Sequence, residues 1–195
     1  MKRYLLSCLI VFLSFATTAQ TDTSLTNRLA EYTRLTRELE IVKLMDYIHP
    51  SLFELAPRDQ MIEMFQNIYD SKEMTIRIGS LENKAISEPF TLKKATYRKV
   101  DYYMVMNMKF KDSSATADPT FVTTMIENLQ GALPKKEVSF DKATNAFVIK
   151  GMDVLIAIKD DATTPWLFLG YDDSNPTVAS LFPPELVAHF KLDKK

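Results

Sequence analysis

The sequence predicts an α+β fold in which an antiparallel sheet carries its helices on one side. Three observations predict this class. Apolar residues recur every three or four positions through residues 25–49, which is the period of an α-helix. Apolar and polar residues alternate through residues 100–110, which is the period of a strand with one buried face. The patterns follow each other in the order helix, helix, strands, helix, strands, helix.

Four helices are predicted. The first begins at Ser24 and runs for about six turns to His49, where Pro50 ends it. The second begins at Ala56 and Pro57, because proline suits the first turn of a helix. The short segment between them predicts that the two helices fold back on each other. The apolar stripe of the second helix is Met61, Met64, Phe65 and Ile68, and the remaining helices cover residues 121–133 and the segment after Pro183.

The strands come in two groups. Ile76 and Ile78 alternate with polar neighbours in the first strand, and residues 100–110 form the clearest one, with its even-numbered side chains toward the core. A meander follows, because apolar segments are separated there by turn-forming residues. Its segments are residues 137–140, 146–150, 151–159 and 166–171, with turns at 141–145 and 160–165.

The N-terminus has the pattern of a secretory signal peptide. Lys2 and Arg3 precede an apolar run over residues 4–16, and small residues follow up to Ala19. The run is shorter than the roughly 20 residues that a membrane-spanning helix needs. We therefore expect cleavage after Ala19, so that residues 1–19 are a signal peptide and residues 20–195 form a single α+β domain.

Cysteine content and charge restrict the location and the partners. Cys8 is the single cysteine of the chain, so the domain after Ala19 contains none and depends on its hydrophobic core. This favours an exported protein in the periplasm, or in the extracellular space or on the cell surface, of a Gram-negative bacterium. Without Lys2 and Arg3, 22 basic residues stand against 25 acidic ones, a net charge of −3. Without a basic surplus we expect no nucleic-acid partner, and after signal cleavage no membrane partner.

The order of elements resembles the cystatin-like fold of the nuclear-transport-factor-two superfamily, and in particular its secreted bacterial members. The segments that carry the resemblance are MDYIHPSLFEL, VDYYMVMNMKF, NAFVIKGMDVLIAI and PWLFLGYDD. It implies a cone-like curved sheet that wraps a long N-terminal helix and leaves a pocket between them. The helix at residues 121–133 departs from the simplest version, which has a hairpin there. Such folds host isomerases, dehydratases and plain binding modules, so the fold alone does not decide the function.

Asp46 and His49 are the candidate catalytic pair. On a continuous helix they lie about 60° apart on the stripe that faces the sheet. An aspartate there needs a partner, because an unpaired buried charge is costly, and a residue three positions away can supply one. With Tyr103, the pair could then act as a general base with an orienting carboxylate. The alternative, which we favour, is structural: a cationic histidine at a helix C-terminus interacts well with the helix dipole.

Methionine and aromatic side chains predict an apolar binding pocket. Methionine adapts to irregular surfaces and is common at apolar binding sites, although core packing is the alternative role for the same side chains. The predicted ligand-binding residues are Met45, Tyr102, Met104, Met106, Trp166 and Phe168. No metal and no cofactor are expected, because the two histidines lack zinc-type spacing and the four glycines form no phosphate-binding loop.

Three functions remain open at this point. The first, which we favour, is a non-catalytic exported module that binds a small apolar molecule or a peptide. The second is an isomerase- or dehydratase-like enzyme of the same fold that uses Asp46 and His49. The third is an interaction domain, with a homodimer as one form of it, that uses the odd-numbered face of residues 100–110. Clustering of Asp101, Tyr103 and Asn107 with His49 in a concave pocket would favour the enzyme, and an exposed flat face would favour the interaction domain.

Overall fold

The structure, a computed structural model, describes residues 22–193 and confirms a mixed α+β fold. The predicted signal peptide lies outside these residues. Six strands form one antiparallel sheet: β1 (Met74–Ile86), β2 (Phe90–Leu92), β3 (Ala95–Phe110), β4 (Glu137–Asp141), β5 (Ala146–Lys159) and β6 (Leu167–Tyr171). Within residues 22–193, no helix has the length and apolar character to cross a membrane.

Prolines mark the beginnings of three helices; two of these starts are predicted from the sequence, whereas the helix predicted from residue 121 begins at Pro119. Pro57 directly precedes α3, and Pro119 and Pro184 are the first residues of α4 and α6. At α4, the Asp118 side chain also accepts a hydrogen bond from the backbone of Thr120, which satisfies a free N–H of the first turn. The helices are α1 (Thr23–Glu38), α2 (Ile41–Leu44), α3 (Arg58–Tyr69), α4 (Pro119–Ala132), α5 (Pro176–Ala179) and α6 (Pro184–Phe190).

The first helix is shorter than predicted, because α1 ends at Glu38 instead of reaching His49. Leu39 adopts a left-handed conformation with φ of 56°, and the backbone N–H of Glu40 bonds to the carbonyl of Leu35, which closes the last turn. The short helix α2 and two 3-10 turns, Met45–Tyr47 and Pro50–Glu54, follow. The apolar period continues across the break because both segments pack into one cluster, which contains Leu35, Ile41, Leu44 and Met45.

The apolar stripe of α3 is narrower than predicted. Met61 is buried and Phe65 is half-buried, whereas Met64 and Ile68 are exposed. The helix therefore contacts the rest of the protein along Met61, Phe65 and Tyr69, which are spaced four residues apart on one side.

The two longest strands lie in the middle of the sheet. β3 pairs with β1 and β2 along one edge and with β5 along the other, and β5 also pairs with β4 and β6. β5 is one continuous strand of 14 residues that joins the two predicted segments on either side of Gly151. The parallel bridge from Ile48 to Phe168 attaches the chain after α2 to the outer edge of β6.

Helices cover both faces of the sheet. Leu155 packs with Leu29 of α1, whereas the next residue, Ile156, packs with Leu186 of α6. Successive residues of a strand point to opposite faces, so α1 and α6 lie on opposite sides. The prediction of helices on one side is therefore wrong. Its physical reason is visible in residues 155–158, which are a continuous apolar run of the kind found in strands buried on both faces.

The sheet has a gap along the outer edge of β5. β4 pairs with residues 146–150 of β5 and β6 pairs with residues 154–158. Residues 151–153 lie between these two ladders. The turn before β4 and the loop after β6 both approach this gap, since residues of each line one cavity there.

Candidate functional site

The structure directs Asp46 and His49 to different partners. The Asp46 carboxylate is mostly exposed and forms an ion pair with Arg58, the first residue of α3, at 2.7 Å. The backbone carbonyl of Asp46 accepts a hydrogen bond from Arg28, at 3.0 Å. The predicted pairing depended on a continuous helix, and the break after Glu38 removes that geometry. Asp46 therefore helps to hold α3 against the segment that contains α2.

His49 caps a turn, but a different one from the helix end we predicted. Its Nδ1 atom accepts a hydrogen bond from the backbone N–H of Ser51, the second residue of the 3-10 turn Pro50–Glu54. The Ser51 hydroxyl lies 2.8 Å from the same nitrogen, and Nε2 lies 3.3 Å from Asp160. The backbone N–H of His49 bonds to the carbonyl of Phe168. These contacts fix the chain at the edge of β6.

Tyr103 lies on the opposite face of β3 from Tyr102, since neighbouring residues of a strand alternate. The ammonium group of Lys84 lies 5.8 Å from the centre of its ring. Asp101, on the same face, pairs with Lys99 at 2.9 Å. The structure therefore does not gather Tyr103 and Asp101 around His49, which is attached to the outer edge of β6.

A cavity of about 160 Å³ lies between the sheet and the segments α1 to α3. We call it the sheet–helix cavity. Its apolar lining comes from five parts of the chain: α2 with the turns after it, α3, and the three long strands β1, β3 and β5. The apolar lining residues are Ile41, Leu44, Met45, Ile48, Leu52, Phe65, Leu81, Met104 and Leu155.

Polar groups in the sheet–helix cavity are hydroxyls and one amide. The polar lining residues are Tyr32, Thr36, Tyr69, Asn83 and Tyr102. Thr36 uses its hydroxyl to donate to the carbonyl of Tyr32, at 2.8 Å. The hydroxyls of Tyr69 and Tyr102 have no hydrogen-bond partner among residues 22–193. They are available to a bound molecule.

Burial keeps these tyrosines protonated. It raises the pKa of Tyr32 and Tyr102 well above the ordinary value of 10.0; the nearby Tyr69 adds to the shift of Tyr32, and Tyr32 and Asp153 add to that of Tyr102. Burial raises the pKa of Tyr69 in the same direction. At neutral pH all three hydroxyls are therefore hydrogen-bond donors and none is a phenolate base.

Three of the six predicted ligand-binding residues line this cavity: Met45, Tyr102 and Met104. Met106 lies further along β3, opposite Ile149 of β5, and is outside the lining. Trp166 and Phe168 belong to the core beneath α1, where they are 3% and 0% exposed. Sequence reasoning missed Tyr32 and Tyr69. The signal was present, because both tyrosines continue the apolar stripes of α1 and α3.

The core beneath α1 is also held by polar contacts. The Trp166 indole donates to the Asp22 carboxylate at 3.0 Å, and Arg28 donates to the Trp166 carbonyl at 2.6 Å. The Arg28 guanidinium lies 4.2 Å from the centre of the Tyr47 ring. Trp166 therefore positions α1 on the sheet and forms one side of the core rather than of the cavity.

Comparison with protein-family models, curated proteins and solved structures gives no match for this chain. Among the described residues there is also no cluster of three or more histidine, cysteine, aspartate or glutamate side chains that could hold a metal ion. The function must therefore be argued from the geometry of the cavity.

Proposed function

We propose that this protein binds a small apolar molecule in the sheet–helix cavity without transforming it. The observation that carries the proposal is the composition of the lining, which combines nine apolar side chains with tyrosine hydroxyls that donate hydrogen bonds. Binding sites for small molecules are typically apolar with a few polar groups that orient the ligand.

The lining supports binding over catalysis. Among the described residues that line the cavity, none is an aspartate, glutamate, histidine, lysine or arginine. General acid–base catalysis is most effective when the catalytic pKa lies near the working pH. Burial moves the pKa of Tyr32 and Tyr102 away from that range.

The volume of the cavity limits the size of the ligand. A dry cavity of about 150 Å³ in another protein holds one benzene molecule. A single aromatic ring, or an aliphatic chain of similar volume, therefore suits the sheet–helix cavity. Because the tyrosine hydroxyls are donors, the best ligand also carries one acceptor such as a carbonyl oxygen.

Two probe molecules of nearly the same shape test this ligand class. Acetophenone has an apolar ring and a carbonyl acceptor, and cumene has the ring without the acceptor. We expect acetophenone to bind more tightly in isothermal titration calorimetry. Replacing Tyr102 by Phe should weaken acetophenone binding about 2- to 10-fold, the loss of one hydrogen bond, and should leave cumene binding unchanged. Tyr103→Phe, one residue away on the other face of β3, is the matched control and should change neither.

A second pair of variants tests the location. Met104→Trp adds volume inside the cavity and should abolish binding of both probes, whereas Val105→Trp adds the same side chain on the opposite face of β3. Both variants should keep their circular dichroism spectra. Equal binding by a folded Met104→Trp protein would place the site elsewhere.

A hydrolytic activity is a second candidate, favoured by one observation. Ser51, His49 and Asp160 form a serine–histidine–aspartate chain with distances of 2.8 Å and 3.3 Å. It ranks second because the Ser51 backbone N–H also donates to the same histidine nitrogen, and Ser51 lines neither cavity described for this protein. A fluorophosphonate probe, which labels activated serines, should leave Ser51 unmodified. Labelling that disappears in Ser51→Ala would put the enzyme first.

Export and shape complete the proposal. We propose that residues 1–19 direct the chain out of the cytoplasm and that the sheet curves around α1 as in the cystatin-like folds that the sequence resembles. The curvature of the sheet is supported by the position of α1, which packs on the sheet and contributes residues to the sheet–helix cavity. Mass spectrometry of protein produced from the full chain should give a mature N-terminus at Gln20, and a chain that retains Met1 would contradict export by cleavage.

A further inference from the structure

A second cavity, of about 370 Å³, lies at the gap in the outer edge of β5. We call it the edge cavity. Lys136 at the start of β4, Met152 and Asp153 of β5, and Asp172 after β6 all line it. Leu133, Val154, Tyr171 and Leu192 supply apolar surface. It is a separate site from the sheet–helix cavity, although Tyr102 borders both.

An ammonium group already occupies the floor of the edge cavity. The Nζ atom of Lys136 donates to the carbonyl of Met152 at 2.7 Å and forms an ion pair with the Asp153 carboxylate. The Lys136 side chain is only 11% exposed, so its charge is held inside the protein rather than in solvent. A carboxylate and a backbone carbonyl therefore form a built site for an ammonium ion.

Neighbouring residues are arranged to let Lys136 reach this position. Its aliphatic chain passes over Gly151, where an added Cβ would lie 2.9 Å from the Lys136 Cδ atom. The amide of Gln130 donates to the Lys136 carbonyl at 2.6 Å and accepts from the backbone of Val138 at 3.3 Å. Gln130 of α4 thus fixes the backbone at Lys136, while the Lys136 side chain enters the cavity from the start of β4.

The charge of the lining favours a cation over an anion. Asp153, Asp172 and Asp173 provide three acidic groups, against two basic groups on Lys135 and Lys136. Lys135 pairs with Asp173 at 2.5 Å and lies mostly in solvent. Burial and the nearby Asp172 raise the pKa of Asp153, whereas Lys136 lowers it. The lining therefore has one more acidic group than basic groups, which favours a cation over an anion.

We propose that the edge cavity binds a primary ammonium group carried on a short apolar chain, which replaces the Lys136 ammonium on Asp153 and on the Met152 carbonyl. The three N–H donors of such a group match these acceptors, and the apolar chain lies against Leu133, Tyr171 and Leu192. The displaced Lys136 side chain, at the start of β4, turns outward into solvent. Lys136 is then an internal competitor for the site.

Three probes with the same chain length test the proposal: n-hexylammonium, hexanoate and 1-hexanol. The full-length mature protein should bind hexylammonium and bind hexanoate at least about 10-fold more weakly, because of the carboxylates in the lining. Lys136→Met removes the competitor and keeps the aliphatic chain, so hexylammonium affinity should rise about 10-fold. Asp153→Asn should lower it by a similar factor. Lys150→Met, which removes the ion pair with Glu137 outside the edge cavity, is the matched control and should change it less than about 2-fold.

Lys136→Met leaves the half-buried Asp153 without its partner and can lose stability, so a thermal-shift measurement accompanies the titration. Hexylammonium should raise the melting temperature of Lys136→Met more than that of the wild type, and 1-hexanol should not. Equal affinity for hexylammonium and hexanoate, or no gain in affinity and no added thermal shift for Lys136→Met, would overturn the proposal. Met104→Trp, which fills the sheet–helix cavity, should leave hexylammonium binding intact. Loss of hexylammonium binding in Met104→Trp would assign the probe to the sheet–helix cavity and contradict an ammonium site at Asp153.

Discussion

Replacement of Phe168 by alanine should remove a large part of the stability of the domain. Phe168 is fully buried, and its ring centre lies 4.8 Å from that of Tyr32 on α1. The strand that carries it is held on both sides, by pairing with β5 and by the hydrogen bond from the His49 backbone. The surrounding structure therefore cannot collapse easily into the space, and we expect the upper part of the usual range for this substitution, about 4–5 kcal/mol.

Urea unfolding measures this loss. Trp166 is the single tryptophan of the chain and lies in the same core, so its fluorescence reports directly on the region. Against a typical total of about 5–15 kcal/mol, the variant should be partly unfolded at room temperature or have a much lower midpoint with an unchanged slope. Ile86→Ala, at the exposed end of β1, is the control and should cost no more than about 0.5 kcal/mol. A loss below about 1 kcal/mol for Phe168→Ala would mean that β6 does not present this face to α1.

Two further predictions concern pH. Hydrogen bonds from Lys43 and Arg34 lower the pKa of Glu40 from 4.5 to about 2. A carboxylate whose pKa is lower in the folded state stabilises the fold at pH values above its unfolded pKa, and this stabilisation is lost as the pH falls. The wild type should therefore lose more stability between pH 4.5 and 2 than Glu40→Gln does, as measured by urea midpoints. At alkaline pH the sign is opposite: the raised pKa of Tyr32 and Tyr102 means that stability should fall as the pH rises above about 10. In a titration followed at 295 nm, the Tyr102→Phe protein should lack part of the absorbance change that accompanies unfolding, and an equal change in both proteins would contradict the prediction.

Local sequence signals were sufficient for most elements. Pro57 and Pro184 mark helix starts because the ring suits the first turn, and the alternation of apolar and polar residues over 100–110 predicts the strand that β3 forms. Trp166 and Phe168 are two residues apart in the last predicted strand, residues 166–171, so alternation of side chains places both on the same face, and both are buried.

The break after α1 could not be predicted in the same way. The sequence has no glycine or proline near Leu39, although a left-handed residue ends the helix there. Ion pairs of Glu40 with Arg34 and Lys43 bridge the break, and the two segments pack into one apolar cluster whose partners come from elsewhere in the fold. The helical angles of Asp46 and His49 depended on continuity through this point, and in the structure Asp46 pairs with Arg58 instead of His49.

Only part of the lining of the sheet–helix cavity could be grouped from the sequence. Residues from one strand, such as Tyr102 and Met104, share a face by alternation and could be grouped from sequence. Tyr32 and Tyr69 come from two helices whose relative position depends on tertiary packing. The edge cavity depends on the strand register: Met152 and Asp153 line it only because β4 and β6 pair with β5 on either side of them.

The most direct test of ligand binding in the sheet–helix cavity is an NMR titration of protein labelled with ¹³C at the methionine methyl groups. Met45 and Met104 line this cavity, Met152 lines the edge cavity, and Met64 lies exposed on α3. On addition of acetophenone, the Met45 and Met104 signals should shift together and saturate, while those of Met64 and Met152 stay in place. Saturating binding that leaves Met45 and Met104 unshifted would contradict the proposed site.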